Sequence, residues 1–328
     1  MPRPNSRWLL LLCCLLASLA AHAEPQAAKP DKAAIAQALQ WREDLLQAGG
    51  AGLYQALDLE HLAKRAHLNA IDRRLLPRLV GLFAQEKPAR VRVYWVATRA
   101  QWLARLDFEE GGTGFLALVE EGGKLIDWQD YSLGTSLSQL LAAAAASESS
   151  TLETFLATLD DDPMQALTLV DAHSPLARLV AAACLSHDCY EEALAKLPLA
   201  TGEVSILALE KAIAAGNFTA ADTQMDKLQQ ALGDDPAVVW LAAGLSMSEK
   251  RWQQALDQVN PALARWPSEP RLYPLASQCY MELHQPQQAL AILNAMVQKT
   301  GTPIDWQALT EVPLYAPLKP LLKADGLL

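Results

Sequence analysis

The sequence predicts an α+β domain followed by an all-α solenoid of repeated helix pairs. Three observations carry this expectation. The hydrophobic period switches from helical to alternating near residue 90, every strand signal ends by Ser136, and the second half resembles itself at a fixed spacing. Helices followed by an antiparallel meander form one layer arrangement, and helices alone form another. The expected boundaries are a leader over residues 1–23, the α+β domain over 24–135, the repeats over 136–303 and a capping segment over 304–328.

Arg3 and Arg7 precede an apolar run from Trp8 to Ala17, and small residues follow, ending in Ala21-His22-Ala23. This is the pattern of a secretory signal peptide cut before Glu24. The run is shorter than the roughly 20 apolar residues a spanning helix needs. Cys13 and Cys14 sit inside it and do not read as lipid-attachment sites. The expected location is therefore periplasmic or secreted, with no transmembrane segment in the mature chain. Cleavage leaves Cys184, Cys189 and Cys279 in a compartment that permits disulfides. Cys184 and Cys189 are close enough in sequence to close a small loop, and Cys279 reads as a buried small residue. A metal site on Cys184, His187 and Cys189 fits no common zinc spacing, so disulfide or plain thiols are expected instead.

In the first domain, Ala33 to Gln47 has helical spacing, with Ile35, Leu39, Leu45 and Leu46 near one face. The glycines at 49, 50 and 52 stop it. Asp58 is a candidate N-cap for a second helix through Leu62 and Ala66. A third holds Leu75, Leu76, Leu79, Leu82 and Phe83, with Pro77 near its start. Val91, Val93 and Trp95 then alternate with Arg92, Tyr94 and Val96, which predicts a strand. Trp102–Phe108, Phe115–Val119 and Lys124–Tyr131 are three more, with turns at 110–114 and at Glu121-Gly122-Gly123. The element order, with the segment GGKLIDWQDYSLG, resembles nuclear-transport-factor-2-like (cystatin-like) folds over about 100 residues. That resemblance implies a curved sheet around helices, whose inward polar residues can line a pocket.

In the second half a unit recurs: an aromatic residue or proline, then Ala at its fourth position in Tyr190–Leu194, Trp252–Leu256 and Pro286–Leu290, and likewise in Phe218–Ala221. The alanines at 221, 255 and 289 are 34 apart, and Ala193 precedes Ala221 by 28. Tyr273, Ala276, Ser277 and Tyr280 fill the first-helix positions of the last clear unit, ahead of Ala289 and Leu293. Trp240, Ala243, Gly244 and Met247 fill them in the unit before, ahead of Ala255, Val259 and Pro267. On this alignment the earlier unit has its helices out of register by one, which predicts a turn shorter by one residue. Ala166 marks a further, degenerate unit. The pattern resembles the tetratricopeptide repeat, in which small residues let two antiparallel helices approach and aromatics fill the space beside them. Trp240, Trp252 and Tyr280 are therefore expected to pack. One pair cannot bury its apolar face alone, so units stack, and Trp306, Leu309, Leu314, Tyr315 and Leu318 are expected to cap the last one.

The chain carries a net charge of −10, almost all of it in the second half: 11 basic against 22 acidic residues beyond Ser136, and 14 against 15 from Glu24 to Ser136. Such an acidic chain is a poor nucleic-acid binder, because counterion release needs clustered Lys and Arg. Scattered carboxylates chiefly solvate the surface and favour helix N-termini. The histidines form no metal-ligand spacing, and no nucleophile elbow, phosphate loop or dinucleotide fingerprint is present. No enzyme, cofactor or metal is expected. The tetratricopeptide resemblance implies a scaffold whose partner is a protein or peptide. On the first helix of its last unit, spacing places Arg271, Pro274, Gln278 and Met281 toward the groove. The alternative site is a ligand-binding or hydrolytic pocket in the α+β domain, with Trp95, Asp127 and Asp130 on its strands and an aspartate as acid or base.

Overall fold

The computed structural model describes residues 29–69, 76, 79, 88–109, 112–185, 187–199 and 203–328. The leader, most of the third helical region and Glu110-Gly111 lie outside the described residues. By contacts the chain divides into two compact units. One runs up to Gln129 and includes Ser136–Ala142; the other is Asp130–Thr135 with Ala143–Leu328. The architecture is α+β, then all-α.

The first unit opens with α1 (Lys32–Ala48). Asp31 caps it by accepting a bond from the Ala34 N–H. Its buried face is Ala38, Trp41 and Leu45, while Ile35 and Leu39 are 43% and 53% exposed. The expected stripe is therefore rotated. Trp41 offers more apolar area than either aliphatic residue, and the helix turns it inward. After α2 (Gly50–Leu53) and a single 3₁₀ turn, Asp58 caps α3 (Leu59–Arg65) through the Glu60 and His61 N–H groups. Leu76 and Leu79 are helical and fully buried.

The sheet is a meander in the order β1 (Arg90–Val96), β2 (Gln101–Asp107), β3 (Thr113–Glu121), β4 (Lys124–Asp130) and β5 (Thr135–Ser136). The two-residue β5 follows strand-poor sequence and had no signal. Gly122 and Gly123 both have positive φ, as the two-residue turn between β3 and β4 requires. Trp41, Trp128, Phe115, Leu62 and Leu103 are all fully buried in this unit. Ser136 and Gln139 then form a reciprocal capping box at α4 (Leu137–Ala146).

The second unit continues with α5 (Ser149–Asp161), α6 (Pro163–Leu167), α7 (Ala177–Cys184), α8 (Tyr190–Lys196), α9 (Ile206–Ala214), α10 (Phe218–Leu232), α11 (Pro236–Ser248), α12 (Trp252–Arg265), α13 (Leu272–Glu282) and α14 (Pro286–Thr300). The short α15 (Trp306–Glu311), a 3₁₀ turn (Pro313–Leu318) and α16 (Lys319–Ala324) close it. From α5 to α14 each helix packs on the next, α11 also packs on α13, and the 3₁₀ turn packs on α13, α14, α15 and α16. Leu318 and Leu322 are buried there with Leu290 and Leu293.

One geometric feature fixes the repeat. Asp188, Gly216, Lys250 and His284 all have φ between 54° and 66°, and each stands five residues before Ala193, Ala221, Ala255 or Ala289. The N–H of Lys250 donates to the Met247 carbonyl and that of Arg251 to Ser246. His284 and Gln285 repeat this on Met281 and Tyr280. These are Schellman closures of the first helix of each pair. Left-handed backbone costs a residue with a Cβ about 1 kcal/mol. Replacing Lys250 or His284 by glycine is therefore expected to stabilise the protein by about 0.5–1 kcal/mol, read as a raised urea midpoint at unchanged slope.

Candidate functional site

The turns remove the register slip expected between α11 and α12. Both α11–α12 and α13–α14 place the left-handed residue two positions before the second helix. Counting back from Ala255 and Ala289 by equal steps, Val239, Ala242, Ala243 and Ser246 are the counterparts of Tyr273, Ala276, Ser277 and Tyr280. Ala242, Ala243, Ser246, Ala276 and Ser277 are buried, and Val239 packs on the same core. Trp240 is not in that core. It is 40% exposed, whereas Trp252 and Tyr280 pack as expected. The error came from giving the indole the aromatic's place, when the smaller Val239 holds it.

Shifting by 34 puts Trp240 at the position of Pro274, Gly244 at that of Gln278 and Met247 at that of Met281. α11 packs on α13, so Trp240 and Pro274, and likewise Gly244 and Gln278, stand at equivalent positions of two neighbouring helices. Trp240 and Pro274 are exposed, and Gln278 and Met247 are half-buried. A Cβ built on Gly244 would meet nothing within 4 Å, so the backbone is bare one turn beyond the indole. The other two groove residues differ from expectation. Arg271 leans on Glu269 with Nε 2.9 Å from its carboxylate. Met281 is 4% exposed and packs in the core with Ala289, Leu290 and Leu318, because the C-terminal turn covers that end of α13. It is not a groove residue.

A model of the tetratricopeptide repeat family matches residues 246–311. The match supports the tetratricopeptide resemblance over that stretch, from the end of α11 to α15. No match is found among curated proteins or solved structures. Tetratricopeptide repeats suggest a protein-interaction scaffold. Sequence reasoning missed Trp240 as a surface residue, although its 34-residue distance from Pro274 was there to be read.

The strand residues of the alternative pocket are dispersed. Trp95 is on β1 and both aspartates are on β4, so two strands, about 14 Å of sheet, separate them. The Asp127 carboxylate accepts from the Trp128 and Ser138 N–H groups at 2.9 and 3.1 Å, from Ser138 Oγ at 2.6 Å and from Arg65 Nε at 3.1 Å. Four donors fill the acceptor sites of a carboxylate, which here holds the first turn of α4. Trp95 instead meets Trp102 edge-on at 5.4 Å.

Elsewhere in the first unit a cleft of about 360 Å³ is lined by Gln37, Trp41, Gln55, Asp58 and Lys124. The bonds from His61, then Lys124 at 3.1 Å, hold the Asp58 carboxyl well below its usual range. No sequence motif marked this cleft, since its residues come from three separate segments. In the second unit the sulfurs of Cys184 and Cys189 are bonded across the α7–α8 turn, and Cys279 is buried and free. Among the described residues no group of His, Cys, Asp or Glu is placed to hold a metal ion, and no helix is long and apolar enough to cross a membrane.

Asp130 shapes the turn that follows β4. Its carboxylate accepts from the Ser132 and Leu133 N–H groups at 2.6 and 3.2 Å. The Tyr131 and Ser132 carbonyls in turn accept from Ile206 and Leu207, at the start of α9. Burial pushes the Asp130 carboxyl up to about 6, against those N–H donors. A folded-state value above the unfolded one means that the folded protein binds the extra proton between about pH 4 and 6. Stability from this group therefore rises as pH falls through that window and is lost as pH climbs past it, by about 2–3 kcal/mol in all. Asp130→Asn is expected to flatten that slope and raise the urea midpoint at pH 7.5 but not at pH 4.

Proposed function

We propose that this chain is an exported scaffold that holds a peptide segment or a subunit of another protein on its tetratricopeptide surface, without covalent chemistry. The observation that carries the reading is Trp240: a large indole left 40% exposed on the first-helix strip, next to bare backbone at Gly244. Exposed aromatics beside an open floor are the anchors by which interfaces gain most of their affinity. Pro274 and Gln278 extend the strip by one helix. Export to the periplasm or beyond is the reading of the leader, and the Cys184–Cys189 bond supports an oxidising compartment.

A second reading is small-ligand binding in an N-terminal domain of nuclear-transport-factor-2-like type. The cleft beside Trp41 favours it. Hydrolysis by Asp127 does not fit, because its carboxylate is fully engaged.

The scaffold reading is tested with the full chain expressed behind its own leader. The expected product is a soluble envelope protein that starts at Glu24 and captures a defined protein set from envelope extract. Trp240→Ala and Gly244→Lys are each expected to lose that set at least tenfold by quantitative mass spectrometry. Trp240→Ala also gives up the covered part of the indole and is expected to cost about 1–3 kcal/mol in urea unfolding, whereas Gly244→Lys points into open space and should change stability by no more than about 0.5 kcal/mol. Undiminished capture by both variants would overturn the assignment of this strip.

A further inference from the structure

We propose that the Cys184–Cys189 disulfide is a redox latch on the α7–α8 pair: its reduction to two thiols frees the turn and the start of α8, and uncovers the Glu210 carboxylate on α9. The inference does not depend on capture of a partner at Trp240.

The latch takes the place of a missing turn bond. In three helix pairs the left-handed residue and its successor both close the turn. Gly216 donates to the Ile213 carbonyl and Asn217 to that of Ala212, each at 2.9 Å. Lys250 and Arg251 do the same at 2.8 Å each, and His284 and Gln285 at 3.0 and 2.8 Å. In the α7–α8 pair the left-handed residue is Asp188. Among the described residues its N–H makes no bond to the Leu185 carbonyl, and the Cys189 N–H reaches the Cys184 carbonyl only at 3.3 Å, the longest of the four. Those two residues are the ones the disulfide joins. Their counterparts are Ala212 and Asn217, Ser246 and Arg251, and Tyr280 and Gln285, none of which can form such a link. A covalent bond therefore supplies here what a second hydrogen bond supplies elsewhere. Its reach is local, because loop-closure stabilisation grows with loop length and the cysteines are five residues apart.

The bond also fixes a contact that the later pairs lack. Tyr190 follows Cys189 directly and opens α8, and its hydroxyl donates to the Glu210 carboxylate on α9. Phe218, Trp252 and Pro286, which take its place in the later pairs, carry no hydroxyl. The far end of α8 is held separately, since Lys211 Nζ donates to the Ala195 carbonyl at 3.2 Å and to that of Leu197. The disulfide thus governs the first end of α8. Glu210 stands 34 residues before Gly244, so the carboxylate that Tyr190 masks occupies the same place on its first helix as Gly244 does on α11.

The electron donor is a dithiol. Cys184 is fully buried and Cys189 is partly exposed, so the incoming thiolate attacks Cys189 Sγ. The S–S bond breaks, and Cys184 leaves as a thiolate and takes up a proton. The donor's second thiolate then displaces Cys189 from the mixed disulfide, and Cys189 is protonated in turn. The donor ends as its own disulfide, having passed two electrons to the pair.

The test treats the full chain with dithiothreitol and follows thiols by iodoacetamide labelling, backbone by amide exchange and carboxylates by carbodiimide coupling to glycine ethyl ester, all read by mass spectrometry. Cys184 and Cys189 are expected to become labelled while the chain stays folded. Exchange over residues 187–194 should quicken at least tenfold, with α11 to α14 unchanged. Coupling at Glu210 should rise at least fivefold against exposed Asp257. Cys184→Ser combined with Cys189→Ser should show the same pattern without dithiothreitol, and if that variant does not fold, the dithiothreitol series on the natural chain decides. Tyr190→Phe should raise coupling at Glu210 in the oxidised chain while leaving the turn protected. The proposal is overturned if the bond resists reduction in the folded chain, if exchange over 187–194 or coupling at Glu210 does not change, or if reduction unfolds the later pairs as well.

Discussion

The second unit depends on how closely two antiparallel helices can approach. Ala193, Ala221, Ala255 and Ala289 stand at the same point of four second helices, and none is exposed at all. A methyl group there lets the facing first helix, through Ala243 or Ser277, lie against it. Larger side chains are displaced to the flanks, where Val239, Trp252, Tyr273 and Tyr280 fill what remains. Interiors packed at crystal density tolerate little extra volume, so this one choice of residue sets the spacing of each pair. The left-handed residue five positions earlier fixes where the first helix stops and therefore which residues the alanine meets. Surface follows from the same constraint. With the small residues turned inward, the next positions along the helix face outward, and one of them is Trp240.

Much of this was legible in the chain. The alternation from Val91 to Val96, the glycine pair at 122–123, the Asp58 cap and the recurrence of alanine all report on local geometry, where the physics is short-range. Readings failed where a residue's type and its position pull apart. Trp240 looks like core because it is aromatic, yet Val239 holds the packing position. Met281 has the spacing of a groove residue, yet a turn some thirty residues later covers it. Ile35 and Leu39 are apolar and remain outside, because Trp41 outweighs them on α1. In each case the deciding contact comes from volume or from a distant segment, and neither is written into periodicity.

The candidate sites divide in the same way. Spacing alone suggests a first-helix surface at Pro274 and Gln278, and the repeat relates Trp240 and Gly244 to them once the register is set by the turns. That β1 lies outermost in the sheet, with α1 packed on it, could not be read from sequence, since it is a matter of pairing order. Asp127 shows the reverse: a carboxylate among aromatics suggests chemistry, and its four donors make it a cap for α4.

The account rests most heavily on the buried alanine of the helix pair, and one comparison within α12 tests it. Ala255 is fully buried and Ala264, on the same helix, is exposed. Equilibrium urea unfolding of Ala255→Leu and Ala264→Leu measures the room available at each. The constraint requires a loss of about 1–3 kcal/mol or more at Ala255, from overpacking, and almost none at Ala264. Equal stability of the two variants would mean that the helices are not held at alanine distance, and the packing described here would be wrong.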